Sequence, residues 1–300
     1  MSTAVSQARG DESKRVWTVL ELLRWTQGYF ERQGIESARL DAECLLAHAL
    51  GLERLRLYVD FDQPVESAER ARFRALVKRR AVERVPVSHL LGSREFWSMP
   101  LRVTPDVLTP RPETETLVTA ALDRFPDASG SFSVLDLGTG SGAVALAVAR
   151  ERPESVVTAT DSSQKALSIA QENAETLGMR GRIRFLQGDW LGPVNGEKFD
   201  LMLANPPYVA QRERDRLPPE LSHEPEQALF AGVDGLDALR VLVEEGPRAL
   251  RPGGAIALEL APQQANWVVA ALEDAGLVDV ATHRDLAGRP RVVSGLRSSN

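Results

Sequence analysis

The first ninety residues of the chain are patterned for helices. Val16, Val19, Leu20, Leu23 and Phe30 fall on one helical stripe, and Ala42, Leu45, Leu46, Ala49 and Leu50 on a second that stops at Gly51. A third stripe runs through Phe73, Leu76, Val77 and Ala81 and breaks at Pro86, which has no backbone N–H to offer a continuing helix. Each stripe is a core face, so residues 1–86 predict a small helical bundle. Between 87 and 108 the periodicity lapses, and Gly92, Pro100 and Pro105 punctuate short runs at 95–97 and 101–103, the pattern of a hairpin linker. Pro112 suits the first turn of a helix reaching about Phe125, with Glu113 and Glu115 near its positive end.

Residues 109–300 read differently. Short apolar runs at 134–137, 156–160, 183–186, 201–204, 255–260, 278–283 and 291–296 alternate with helical stretches at 143–150, 163–177, 236–250 and 262–275. Such alternation predicts an α/β domain with a mostly parallel sheet covered on both faces, and ligands at the carboxyl ends of its strands. The last two runs have no helix between them, which predicts an antiparallel hairpin at one edge.

Composition changes this picture in three ways. With 300 residues, 43% hydrophobic and 26% charged, the chain is long enough for two domains and resembles neither a disordered nor a membrane protein. No apolar run approaches the roughly eighteen residues of a membrane span, and the polar stretch 1–15 lacks the apolar core of a signal peptide, so a cytoplasmic protein with a frayed tail is expected. The single cysteine, Cys44, excludes an internal disulfide and a Cys-rich zinc site, and no metal is expected.

Charge is uneven. Residues 1–90 hold 15 basic and 13 acidic side chains, whereas 91–300 hold 21 and 29, a net −8 that suits a bare phosphate backbone poorly. Arg70, Arg72, Arg74, Lys78, Arg79, Arg80 and Arg84 crowd the third stripe; a solvated helix face is the simpler reading, and a docking face for an acidic partner is the alternative.

Four segments at strand ends carry chemistry. Val134-Leu135-Asp136-Leu137 runs into Gly138-Thr139-Gly140-Ser141-Gly142 and then a helix, so backbone can approach a ligand closely at a helix N-terminus. The turn lacks the Gly-Lys-Ser/Thr ending of a P-loop, which argues against a nucleoside triphosphate. Asp161 closes the second strand, where a carboxylate can accept two hydrogen bonds from a ribose diol or cap the helix beginning near Ser163. Gly188-Asp189-Trp190 follows the third strand, and its aromatic ring either brackets a purine or fills the core.

The fourth segment is Asn205-Pro206-Pro207-Tyr208. Two prolines restrict the chain and remove donors, leaving carbonyls free to accept. The Asn205 side-chain oxygen and an adjacent carbonyl can then receive both hydrogens of an NH2 group while Tyr208 covers its face. A carboxamide nitrogen needs such help, because the resonance behind the ~18–20 kcal/mol peptide rotation barrier delocalises its lone pair. His48, His89, His223 and His283 all lie outside these segments, so each is read as structural or surface.

In this order, the glycine turn, Asp161 and Asn-Pro-Pro-Tyr resemble class I methyltransferases that use S-adenosylmethionine, with a seven-stranded Rossmann-like domain, and act on planar NH2 groups. Leu91-Gly92-Ser93-Arg94-Glu95-Phe96-Trp97, the run 103–115 containing Arg111-Pro112-Glu113-Thr114-Glu115, His223-Glu224-Pro225, the run 228–235 and Asp285-Leu286-Ala287-Gly288-Arg289 narrow the resemblance to the HemK family of peptide chain release factor glutamine methyltransferases. The Arg-Pro-Glu-Thr-Glu segment separates it from a relative acting on a ribosomal protein. The one departure is Glu259-Leu260-Ala261, where the family has glycine third.

The resemblance implies methylation of the side-chain amide nitrogen of the glutamine in the Gly-Gly-Gln motif of class 1 release factors, with S-adenosylhomocysteine as the other product. It implies that Gly138, Thr139, Gly140, Ser141, Gly142, Asp161, Trp190 and Asn205 contact the cofactor, that Asn205, Pro206, Pro207 and Tyr208 hold the glutamine, and that Arg111 and Glu113 border it. It further implies a helical bundle that recognises the release factor, and a monomer that contacts neither nucleic acid nor membrane. An adenine-N6 methyltransferase would need a basic face and a target-recognition segment, and a non-catalytic cofactor-binding module would not need Asn-Pro-Pro-Tyr.

Overall fold

The computed structural model describes residues 16–127 and 129–299; the expected frayed tail lies outside the described residues. The chain divides into two compact units, Met1–Leu91 and Gly92–Asn300.

The first unit is helical. Thr18 opens α1 (Val19–Arg32) with a reciprocal cap, its hydroxyl accepting the Glu21 N–H at 3.3 Å while Glu21 accepts the Thr18 N–H at 3.0 Å. Val16, expected on the core stripe, precedes that cap and is exposed. α2 (Ala38–Leu50) ends where Gly51 turns to a φ of +68°, a conformation cheap for glycine. After the short α3 (Arg56–Val59), α4 (Ser67–Ala81) buries Phe73, Val77 and Ala81 against Leu45, Leu46 and Phe30. The basic run is not one solvated face. Arg80 is buried, 2.7 Å from Asp41, and Arg72, though exposed, donates to the Ala49 carbonyl; Arg74, Lys78 and Arg79 are the other exposed cations of this helix.

The segment expected as a linker is divided between the units. Residues 87–91 form α5 (Val87–Leu91), whose Leu90 joins the helical core. β1 (Ser93–Phe96) and β2 (Met99–Arg102) form an antiparallel hairpin whose Phe96, Met99 and Leu101 lie in the core of the second unit. The apolar residues of each strand are too few for periodicity to reveal that burial. Trp97 and Ser98 turn the hairpin at φ of +51° and +54°, pinned by Trp97 Nε1 to Glu151 at 2.9 Å and by the Arg150 guanidinium to both carbonyls.

The second unit holds a seven-stranded sheet in the order β5-β4-β3-β6-β7-β9-β8. Its strands are β3 (Ser133–Leu137), β4 (Val156–Asp161), β5 (Ile183–Gln187), β6 (Phe199–Ala204), β7 (Leu250–Glu259), β8 (Leu277–Arg284) and β9 (Pro290–Arg297). The first five pair in parallel, and β9 runs antiparallel to both β7 and β8, the hairpin expected at one edge. Alternation along the strands fills two cores. Val134, Leu201, Leu203, Ala255 and Ala257 face α6 (Glu115–Arg124) and α7 (Ala143–Glu151), whereas Leu135, Leu137, Met202, Ile256 and Leu258 face α9 (Asp237–Ala249) and α10 (Ala265–Asp274). Strand order reverses between β3 and β6, which opens a crevice at their carboxyl ends. α8 (Gln164–Thr176) closes its near side through the buried Asn173, whose amide bonds the Arg102 N–H, the Arg102 carbonyl and the Ser141 carbonyl.

Candidate active site

β3 delivers the glycine turn to that crevice. Gly138, Gly140 and Gly142 have φ of +68°, +57° and +84°, a region that costs an L-residue roughly 1–2 kcal/mol. A Cβ on Gly138 or Gly140 would meet nothing within 4 Å, so the turn opens onto a cradle at the N-terminus of α7. Gly142 does a different job: its Cβ would lie 3.1 Å from that of Ala170, so its bareness lets α7 pack on α8.

Two carboxylates brace the turn. Asp136, almost wholly buried, accepts the Thr139 hydroxyl at 2.6 Å and the Ala145 N–H at 3.2 Å, and burial pushes its pKa up to about 7. Asp161 accepts the Gly140 N–H through one oxygen and the Ser163 N–H through the other, both at 2.9 Å; burial raises its pKa. The helix cap falls to Ser163, whose hydroxyl accepts the Ala166 N–H.

The cleft is lined by Gly138 to Ser141, Asp136, Asp161, Asp189, Trp190, Asn205 and Pro207. Trp190 lines the cleft and is partly buried against one of the two cores of this unit. Gly142, Pro206, Tyr208, Arg111 and Glu113 do not line it.

Asn205 sits at the end of β6. Its Nδ2 donates to the Thr114 hydroxyl at 3.2 Å, while its buried Oδ1 has no hydrogen-bond partner. A buried acceptor left unmade costs about 1–3 kcal/mol, and this oxygen is such an unsatisfied acceptor at the strand end. Tyr208 turns toward Glu259 at the end of β7, with its hydroxyl 3.5 Å from Oε1, and burial raises its pKa. Glu259 is 1% exposed, and burial pushes its pKa up to about 7.

Beside this pair, two ion pairs join segments far apart in the chain and two lie within residues 285–291. Arg111 bonds Glu224 at 2.6 Å, Glu113 takes Arg289 at 3.3 Å, and Asp285 takes Arg289 and Arg291 at 3.0 and 3.2 Å. Glu224 is buried deeply enough that its pKa is raised despite Arg111. Thr114 and Glu259 were not singled out as site residues by sequence. A carboxylate interrupting the apolar run 255–260 is the signal that could have found Glu259; a threonine between two glutamates offers none. Among the described residues, no group of three or more His, Cys, Asp or Glu side chains is placed to hold a metal.

Comparison with known proteins bears on the whole chain. The PrmC N-terminal domain matches residues 21–92, and the methyltransferase small domain matches 116–234. A release factor glutamine methyltransferase from Geobacter sulfurreducens is 42% identical over 285 residues, spanning 95% of this chain and 98% of its own. The chain belongs to the release factor glutamine methyltransferase family. A second family member, from Xylella fastidiosa, is 47% identical over 257 residues, covering 86% of this chain and 92% of its own. The fold is shared more widely: a T. thermophilus 16S rRNA N2 G1207 methyltransferase, solved with AdoMet and guanosine, aligns over 68% of this chain and 49% of its own, with a TM-score of 0.52 and 20% identity. Three of the segments that marked the sequence as a member, 103–115, 223–225 and 285–289, carry these ion pairs.

Proposed function

We propose that the protein methylates the side-chain amide nitrogen of the glutamine in the Gly-Gly-Gln motif of class 1 peptide chain release factors, with S-adenosylmethionine as donor. The observation that carries this reading is the buried, unpartnered Oδ1 of Asn205, a residue that lines one cleft with the glycine turn. The lining suits the cofactor: a Cβ on Gly138 or Gly140 would project into open space, Asp161 lines the cleft with a carboxylate of the kind that accepts from a ribose diol, and Trp190 offers an aromatic face. Bound there, S-adenosylmethionine supplies a methyl group to a nucleophile and leaves as S-adenosylhomocysteine.

The chain's own residues supply orientation. Asn205 Oδ1 and the carbonyl beside it accept the two N–H groups of the glutamine amide, which fixes the nitrogen and favours the positive charge that develops on it. Fixed geometry of this kind is worth up to ~7–11 kcal/mol. No base need act first, because the nitrogen becomes acidic once it is cationic, and the proton then passes to water. Pro206 and Pro207 hold the turn rigid so that these acceptors do not collapse onto their own backbone.

The helical unit is assigned recognition of the release factor body. A groove lined by Trp25, Tyr29 and Phe73 carries Arg74 and Lys78 on its rim, which suits an acidic surface with apolar projections. Incubation with a short Gly-Gly-Gln peptide and, separately, with adenine-containing DNA and RNA tests the reading. Transfer to the peptide alone is expected; transfer to adenine alone would refute it.

A further inference from the structure

We infer that Gln264 is a positioning residue, whose buried amide fixes the exit of the Asn-Pro-Pro-Tyr segment by holding the Tyr208 carbonyl. The role rests on the reading above, in which residues 205–208 hold the glutamine amide.

A segment with two consecutive prolines cannot secure itself. Pro206 and Pro207 fix φ at about −65° but offer no N–H, so the path of the chain beyond them depends on anchors from elsewhere. Asn205 and Pro207 line the cleft. Past Tyr208 the main chain is caught again: the Val209 N–H donates to the Leu229 carbonyl at 2.9 Å, and the Val209 carbonyl accepts the Ala231 N–H at 3.0 Å. Between the prolines and that pairing lies the Tyr208 carbonyl, which accepts from Gln264 Nε2 at 3.1 Å.

Gln264 is 6% exposed and ends the short turn Pro262–Gln264 that follows β7. Both ends of its amide meet main chain. Nε2 also donates to the Gly235 carbonyl at 2.9 Å, and Oε1 accepts the Ala261 N–H at 3.0 Å. A carbonyl only accepts and an N–H only donates, so these partners dictate which end of the amide is which. One side chain ties the chain after β6 to the chain before α9 and the chain after β7. Two acceptors and one donor converging in the interior call for a carboxamide: a carboxylate lacks the donors, and an apolar side chain would leave all three groups unpaired.

Gly235 shows how little room the Tyr208 carbonyl has. A Cβ there would lie 2.5 Å from that carbonyl oxygen and 3.1 Å from Gln264 Nε2, at a φ of +81° that glycine adopts cheaply. The clamp also accommodates Ala261, the departure from the family's sequence. Its φ of −74° makes no demand for glycine, and Gln264 uses its N–H rather than its side chain.

Asn205 and Tyr208 bound the two prolines, so a shift at one end of this stiff segment is carried to the other. Displacing a reacting group by about 1 Å can cost ~10²-fold in rate.

The test uses the full chain with S-adenosylmethionine and a Gly-Gly-Gln peptide. Gln264→Glu keeps an acceptor for Ala261 but loses the donors, and Gln264→Met keeps the volume but loses both. Gly235→Ala crowds the same carbonyl without touching the amide. In each, kcat is expected to fall roughly 10–100-fold, with the cofactor Kd, read by equilibrium binding, unchanged. Should Gln264→Met fail to fold, the other two variants read the same split. Wild-type kcat in a folded Gln264 variant would overturn the inference, and so would a loss of cofactor affinity matching the loss of kcat, the mark of general loosening. An unmodified peptide with the wild-type enzyme would instead overturn the reading beneath it.

Discussion

At the scale of single residues, Asn205 is the hinge of the account. Its Oδ1 is buried without a partner, while its Nδ2 is held by Thr114. Asn205→Ala removes the acceptor but little of the cradle, so methyl transfer should fall by about 10²–10³, the range seen when a group that stabilises developing charge is lost. Cofactor affinity, measured by equilibrium binding, should fall far less, and equal losses in both would contradict the substrate role. A second residue-scale expectation concerns protons. Asp136 and Glu259 are held at about 7, against 3.8 and 4.5 in ordinary solvent. Each native carboxyl keeps its proton to higher pH than the unfolded chain does, so between those values unfolding releases protons and stability falls as pH rises toward 7. In urea unfolding, Asp136→Asn should lose less stability than the wild type between pH 5 and 8; parallel losses would show that Asp136 does not ionise at that expense. The glycine turn and Asn-Pro-Pro-Tyr were legible because their backbone demands dictate residue type. Thr114 and Glu259 were not, because their meaning comes from partners 91 and 51 positions away.

At the scale of elements, the site depends on how the glycine turn is clamped. Asn173 joins the Arg102 backbone of β2 to the Ser141 carbonyl from its place on α8. Asn173→Ala leaves those groups unpaired in the interior, at a cost of about 1–3 kcal/mol or somewhat more. Urea unfolding should show that loss, together with weaker cofactor binding as Ser141 is freed; an unchanged midpoint would mean that water replaces the amide. The sheet was legible from sequence because buried parallel strands are apolar on both faces and end in turn residues. The hairpin expected within 87–108 forms at 93–102, but its burial in the second unit's core was not legible because four-residue strands bury only alternate side chains, too few to set a period. Helices as short as Arg56–Val59 and Val87–Leu91 escape for the same reason.

At the scale of the whole molecule, one unit carries the cleft and the other a groove lined by Trp25, Tyr29, Arg74 and Lys78. The charge pattern of the sequence located that second surface only in part. Seven cations look alike along α4 and beyond it, but Arg80 is spent on Asp41 and Arg72 on a carbonyl. Reversing Arg74 and Lys78 together should raise the KM for an intact release factor several-fold at low salt, less at high salt, and leave turnover of a short peptide unchanged. An unaltered KM would return this face to solvent. The central claim is the identity of the methylated atom. Purified release factor, incubated with this protein and isotopically labelled S-adenosylmethionine and then mapped by tandem mass spectrometry, should carry one labelled methyl on the side-chain nitrogen of the Gly-Gly-Gln glutamine; label on any other residue, or none, would contradict the account.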